Sequence, residues 1–99
     1  MEEIRPLELF ITRRAFAHLD AIQSYIAKDR PAAARKVSSR LRDSFDFLCR
    51  FPNLGRDGTK KGTREWPVPG LPYLIVFEIW RDALIIHGVY HAARQNRAD

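Results

Sequence analysis

Residues 7–12, "LELFIT", are short and apolar, with Leu7, Leu9 and Ile11 alternating against Glu8 and Phe10, and they predict a first strand. The period then lengthens. In "RRAFAHLDAIQSYIAKD", residues 13–29, Ala15, Leu19, Ile22 and Ile26 recur at i, i+4, i+7 and i+11. That spacing puts them on one face of a helix, which Thr12 is placed to cap. "DRP" at 29–31 interrupts this helix, because a proline ring and its missing N–H suit a helix's first turn and not its interior. A second helix follows over residues 32–51, "AAARKVSSRLRDSFDFLCRF". Ala34, Val37, Leu41, Phe45 and Leu48 make its apolar stripe, and Arg35, Lys36, Arg40 and Arg42 spread over the remaining surface. So short a joint between helices of similar length implies an antiparallel hairpin.

Residues 52–63, "PNLGRDGTKKGT", hold Pro52, Asn53 and three glycines among charges, and read as a flexible basic loop. "REWPV" at 64–68 is a short strand that Pro67 restricts to an edge or a brief pairing, and "PG" at 69–70 turns the chain. "LPYLIVFEIW" (71–80) and "ALIIHGVY" (83–90) are strands joined by a tight turn at Arg81 and Asp82. Both are nearly continuous in apolar residues, so either both sheet faces are covered or these strands are central. No repeat or linker interrupts the order β-α-α-β-β-β. The expected fold class is α+β: a helical hairpin packed on one face of a small, mainly antiparallel sheet.

Length adds one bound. Ninety-nine residues suffice for one domain, which buries roughly two thirds of its unfolded surface. Charge changes the picture more. Seventeen Lys and Arg against twelve Asp and Glu give a net charge of +5, which favours nucleic acid, a nucleic-acid-bound machine or an acidic protein as partner. Cys49 stands alone, so there is no disulfide framework, and its neighbours Leu48 and Phe51 suggest a core position. "MEEIRPLELF" lacks the apolar stretch of a signal peptide, and no run approaches the roughly 20 residues that span a bilayer. The expectation is a cytoplasmic protein without a membrane partner.

The first chemistry to weigh is His87-x-x-x-His91. On a strand those residues stand roughly 13 Å apart, too far to share one ion, and His18 sits away on the first helix. No metal site and no cofactor is expected. Ser24, Ser38, Ser39 and Ser44 fall inside helices without the sharp glycine turn of a nucleophile, and "GTKKGT" lacks the spacing of a phosphate-cradling loop. What remains is a cluster that the topology could gather: Lys60, Lys61 and Arg64 entering the sheet, His91 and Arg94 leaving it. Metal-free RNA cleavage needs a base, an acid and cations on the phosphate, and these residues could fill those roles. The same cluster also reads as a solvated basic rim that helps docking to an acidic partner.

Four stretches carry a resemblance. "P-x-L-G-R" at Pro52 to Arg56, "G-T-R-E" at Gly62 to Glu65, "P-G-L-P-Y" at Pro69 to Tyr73, and "H-x-x-R" at His91 to Arg94 occur in an order that closely resembles the ParE/RelE superfamily of toxins from bacterial type II toxin–antitoxin modules. The helical half, with a proline starting its second helix, is similar too. The resemblance implies the fold reached above and a growth-arresting toxin held inactive by a cognate antitoxin, whose acidic, partly disordered tail would meet the helical hairpin and a sheet edge. It also implies one of two targets. RelE-like members cut mRNA in the ribosomal A site, whereas ParE-like members poison DNA gyrase and are not nucleases. Cleaving members carry arginines just before the central hairpin and just after the last strand, where this chain has Pro69 and Ala92. The wording of the motifs resembles the ParE-like branch more closely. The reading is therefore a gyrase-binding toxin that uses His91, Arg94 and Arg64, without sequence-specific DNA binding of its own. A ribosome-dependent endoribonuclease using His91, Arg94, Arg64, Lys60 and Lys61 is the alternative.

Overall fold

The computed structural model describes residues 5–93. Strand β1 (Glu8–Ile11) leads into helix α1 (Arg13–Ala27), which Thr12 caps by accepting a hydrogen bond from the Ala15 N–H at 3.1 Å. Helix α2 (Pro31–Arg50) has its proline in the first turn, where no intrahelical N–H is lost. A 3-10 turn (Pro52–Leu54) connects it to β2 (Arg56–Asp57), β3 (Arg64–Pro67), β4 (Tyr73–Trp80) and β5 (Ala83–His91). The sheet order is β1-β5-β4-β3-β2, with β1 parallel to β5 and every other pairing antiparallel. Two helices on a mainly antiparallel sheet are the expected α+β class.

Two details depart from the sequence reading. Residues 56–65 are a hairpin and not a flexible loop, because β2 pairs with β3 through Arg56↔Glu65 and Asp57↔Arg64. Its tip is tied further by Gly58 N–H to the Thr63 carbonyl (2.9 Å) and Thr63 N–H to the Lys60 carbonyl (3.1 Å), with Gly62 at φ 88°. Of the two explanations for the apolar runs, the second holds: β4 and β5 are central, but the helices cover only one face.

That covered face is the core. Ala15 and Leu19 of α1 and Leu41, Phe45 and Leu48 of α2 pack on Ile75, Phe77, Leu84, Ile86 and Val89, and Cys49 is buried among them. The other face keeps Val76, Glu78, Ile85, His87 and Tyr90 only half-buried.

A bulge separates the two faces of β5 in an unexpected way. The register steps from Phe77↔Ile86 to Val76↔Gly88, so His87 has no partner across β4. Ile86 points to the core and His87 away from it. Val89 points to the core again. An extra residue has therefore reversed the alternation, and His87 and His91, four apart, lie on opposite faces.

Candidate functional site

The uncovered face carries a pocket of about 380 Å³ between the hairpin tip, the first turn of α1 and the outward side of β3, β4 and β5. Lys60 and Lys61 line one side, Arg14 another, and Glu65, Val76, Glu78, His87 and Tyr90 the floor. His87 and Glu78 form its most definite contact, Nε2 to Oε1 at 2.7 Å. Glu65, 5% exposed, faces Arg56 at 3.6 Å. Gly88 leaves room for the Tyr90 ring, since a Cβ there would stand 2.6 Å from the ring carbon Cε2.

Tyr90 is held from the helix side as well. His18 accepts the Val89 N–H on Nδ1 at 3.2 Å, and its ring meets Tyr90 edge-on with centroids 4.9 Å apart. His18 is thus not remote from the last strand, as its sequence position suggested. Burial, and then the nearby Arg14 guanidinium, lower its pKa below the ordinary 6.5.

Of the five residues singled out in the sequence, the four that lie among the described residues do not form one cluster. Lys60 and Lys61 reach the pocket. Arg64, opposite Phe77, lies on the covered side, and its Nη1 donates to the Gly55 carbonyl at 2.9 Å. His91, exposed and opposite Tyr73, meets that ring edge-on at 5.7 Å and accepts the Ala93 N–H on Nδ1 at 3.2 Å. Phe77 and Tyr73 are four positions apart on β4, so Arg64 and His91 are separated by about 13 Å along it. Arg94 lies outside the described residues. Sequence reasoning missed the His87–Glu78 pair. A signal existed: each is the one polar side chain within its apolar run, and a tight turn at Arg81 and Asp82 makes them diagonal neighbours.

A second concavity lies on the other side of the molecule. It is a groove of about 640 Å³ between α1, α2 and β1, with Leu9, Ile11, Phe16 and Leu19 among its apolar residues and Arg35, Arg42, Asp20 and Asp46 among its charged ones. Phe16 is 65% exposed there. Strand β1 is an edge of the sheet, so its outer backbone groups pair with no strand. Among the described residues no three His, Cys, Asp or Glu side chains gather as a metal site, and no helix is long and apolar enough to cross a membrane.

This arrangement of hairpin and sheet is that of the ParE/RelE toxins. A chain of the chromosomal ParDE toxin–antitoxin system from P. aeruginosa superposes with a TM-score of 0.79 at 24% identity, over 86% of this chain and 95% of that one. A chain of the RelBE2 toxin–antitoxin complex from Mycobacterium tuberculosis superposes with a TM-score of 0.60 at 20% identity over the whole of both. In sequence, the candidate toxin Y4kP of Sinorhizobium fredii is 43% identical over 84 residues, 85% of this chain and 86% of that protein. Toxin RelE2 of Caulobacter vibrioides is 36% identical over 83 residues, 84% and 92% of the respective chains. The family described as the ParE toxin of the type II toxin–antitoxin system parDE matches residues 9–96. The chain belongs to that family and is a type II toxin of the ParE/RelE group.

Proposed function

We propose that this toxin arrests growth by binding and poisoning DNA gyrase, and that a cognate antitoxin neutralises it. The observation that carries this reading is the division of the cationic cluster. A phosphodiester-cleaving site needs its base, acid and cations on one phosphate. Here His91 and Arg64 lie on the face opposite Lys60 and Lys61, and Arg64 is engaged by the Gly55 carbonyl. Pro69 and Ala92 supply no further cation. Exposed His91 is available for contact with a large target, and Arg94, three residues on in the sequence, is the second side chain we assign to that contact. Incubating the purified chain with gyrase and plasmid is expected to suppress supercoiling and accumulate the cleaved complex, less so with His91→Ala. Unaltered supercoiling with toxin in excess refutes it.

One observation favours the ribosome as target instead. His87, hydrogen-bonded to Glu78 beside Lys60 and Lys61, has the residue types of a base with cations at hand. Toeprinting on translating ribosomes separates the two readings: A-site cleavage abolished by His87→Ala would support this one.

For the antitoxin, the groove between α1, α2 and β1 is the seat we propose. Its apolar walls suit the apolar side of a segment that folds on binding, and Arg35 and Arg42, set among Asp20 and Asp46, give that segment charged partners of both signs. The structures similar in fold come from toxin–antitoxin systems, which supports such a partner.

A further inference from the structure

Strand β5 ends on His91, and one nitrogen of its ring is already engaged. Tyr73 stands opposite on β4, and the Ala92 N–H donates to the Pro72 carbonyl at 2.7 Å, so the ladder closes one step past the strand. The chain then folds back, and the Ala93 N–H donates to His91 Nδ1 at 3.2 Å. A backbone N–H only donates, so Nδ1 is bare and the neutral ring keeps its proton on Nε2. The Tyr73 ring meets the imidazole edge-on, centroids 5.7 Å apart at 80°, and steadies it from the strand side. His91 is exposed, and at neutral pH it therefore presents a donor to the outside. A general base taking a proton through Nε2 needs the opposite tautomer, whose Nδ1–H would stand against the Ala93 N–H.

A cation reaches the same end of the sheet from α2. Residues 68–71 form a turn closed by the Leu71 N–H on the Val68 carbonyl at 3.2 Å, with Pro69 second and Gly70 third at φ 78°. The Arg40 guanidinium lies on this turn, in the space a side chain at Gly70 would take: a Cβ there would stand 2.7 Å from Nη1. Tyr73 follows Gly70 by three residues, at most about 11 Å of chain. Its carbonyl accepts the Val68 N–H at 2.9 Å, at the base of the same turn. Arg40 is exposed, and among the described residues it makes no ion pair. Arg40 and His91 thus stand on the helix-covered side, where β4 begins and β5 ends, and each has a donor left for a partner.

We propose that Arg40 and His91 together take a carboxylate of the protein target, Arg40 supplying the charge and His91 donating from Nε2, with Tyr73 as a positioning residue. A guanidinium beside a neutral donor matches the single charge and two oxygens of a carboxylate. The chain's net charge of +5 draws it towards an acidic protein surface. The proposal rests on the reading that the target is a protein, and adds to it Arg40 and the donor role of His91. The tautomer does not depend on what the target is.

The test has two arms. Long-range 1H–15N correlation spectra of the full-length chain at pH 8 should show His91 with a bare Nδ1 and a protonated Nε2. Ala93→Pro, which removes the donating N–H, should return the ring to the tautomer mixture of free histidine. Tyr73→Leu should shift it the same way, and Tyr73→Phe should restore it. Binding to immobilised gyrase and growth arrest on induction are then compared among variants whose urea midpoints match the parent's. His91→Gln, whose amide nitrogen falls near the place of Nε2, should stay within about threefold of the parent, whereas His91→Asn and Arg40→Ala should each lose at least about tenfold. Arg50→Ala, a cation roughly 15 Å farther along α2, should change nothing. A parent chain that arrests growth without binding gyrase refutes the gyrase reading alone, and the order of variants in growth arrest then decides the carboxylate site. The proposal is overturned by a protonated Nδ1, by equal losses in His91→Gln and His91→Asn, by Arg40→Ala matching the parent, or by A-site mRNA cleavage that requires His91.

Discussion

His18 completes a strand that ends too early. β1 runs beside β5 as far as Ile11↔Ile86, and Thr12 still donates to the Ile86 carbonyl. The chain then leaves for α1. The Val89 N–H, farther along β5, has no strand on that side, and the imidazole of His18 takes the vacant place. A buried N–H without an acceptor costs about 1–3 kcal/mol, so His18→Ala should lower unfolding stability by that order in urea titration. The bond requires Nδ1 to be unprotonated, which assigns the proton of the neutral ring to Nε2. Because folding lowers the His18 pKa, the unfolded chain holds more protons once the pH drops below about 6.5. The contribution is therefore complete above the ordinary value of 6.5 and is lost as pH falls through 6.5 towards the lowered folded value. Denaturation midpoints compared at pH 7.5 and pH 5.5 should differ less in His18→Gln than in the parent chain.

The hairpin formed by β2 and β3 is locked to the core by one close contact. Gly55 lies against Phe77, where a Cβ would stand 2.5 Å from Cζ, and Phe77 is fully buried and cannot withdraw. Arg64 closes the same junction through the Gly55 carbonyl. Gly55→Ala should therefore cost about 1–3 kcal/mol by overpacking, measurable as a lowered melting temperature. Its amide-exchange protection should drop first in residues 56–65, including the tip that carries Lys60 and Lys61. Arg64, read in the sequence as a target-binding cation, has this bond as its observed contact. Arg64→Ala is expected to lose about 1 kcal/mol of stability. If it instead abolishes target binding at unchanged stability, Arg64 is a target-binding cation.

Both concavities share one sheet but open on opposite sides of it. Leu9 and Ile11 face the groove, while Phe10, between them, faces with Ile85 towards the uncovered side. An occupant of the groove therefore leaves the pocket open. Phe16→Glu should weaken neutralisation by a cognate antitoxin about tenfold or more. Toxicity of the chain expressed alone should persist, a combination read by growth with and without co-expressed antitoxin. Both helices, four of the five strands in their order, the α+β class and the family resemblance were legible in the chain, because apolar period, caps and turn residues act over a few neighbouring positions. Cys49 in the core was legible for the same reason. The hairpin at 56–65 escaped notice because so short a strand has no period to read. The single unpaired residue at His87 put His91 on the covered side, the β3–β4 register put Arg64 there too while Lys60 and Lys61 went to the pocket, and His18 reached β5 across a separation of 71 residues. Strand register and helix docking are long-range matters: one bulge reverses every side chain beyond it, and nothing local marks where it falls.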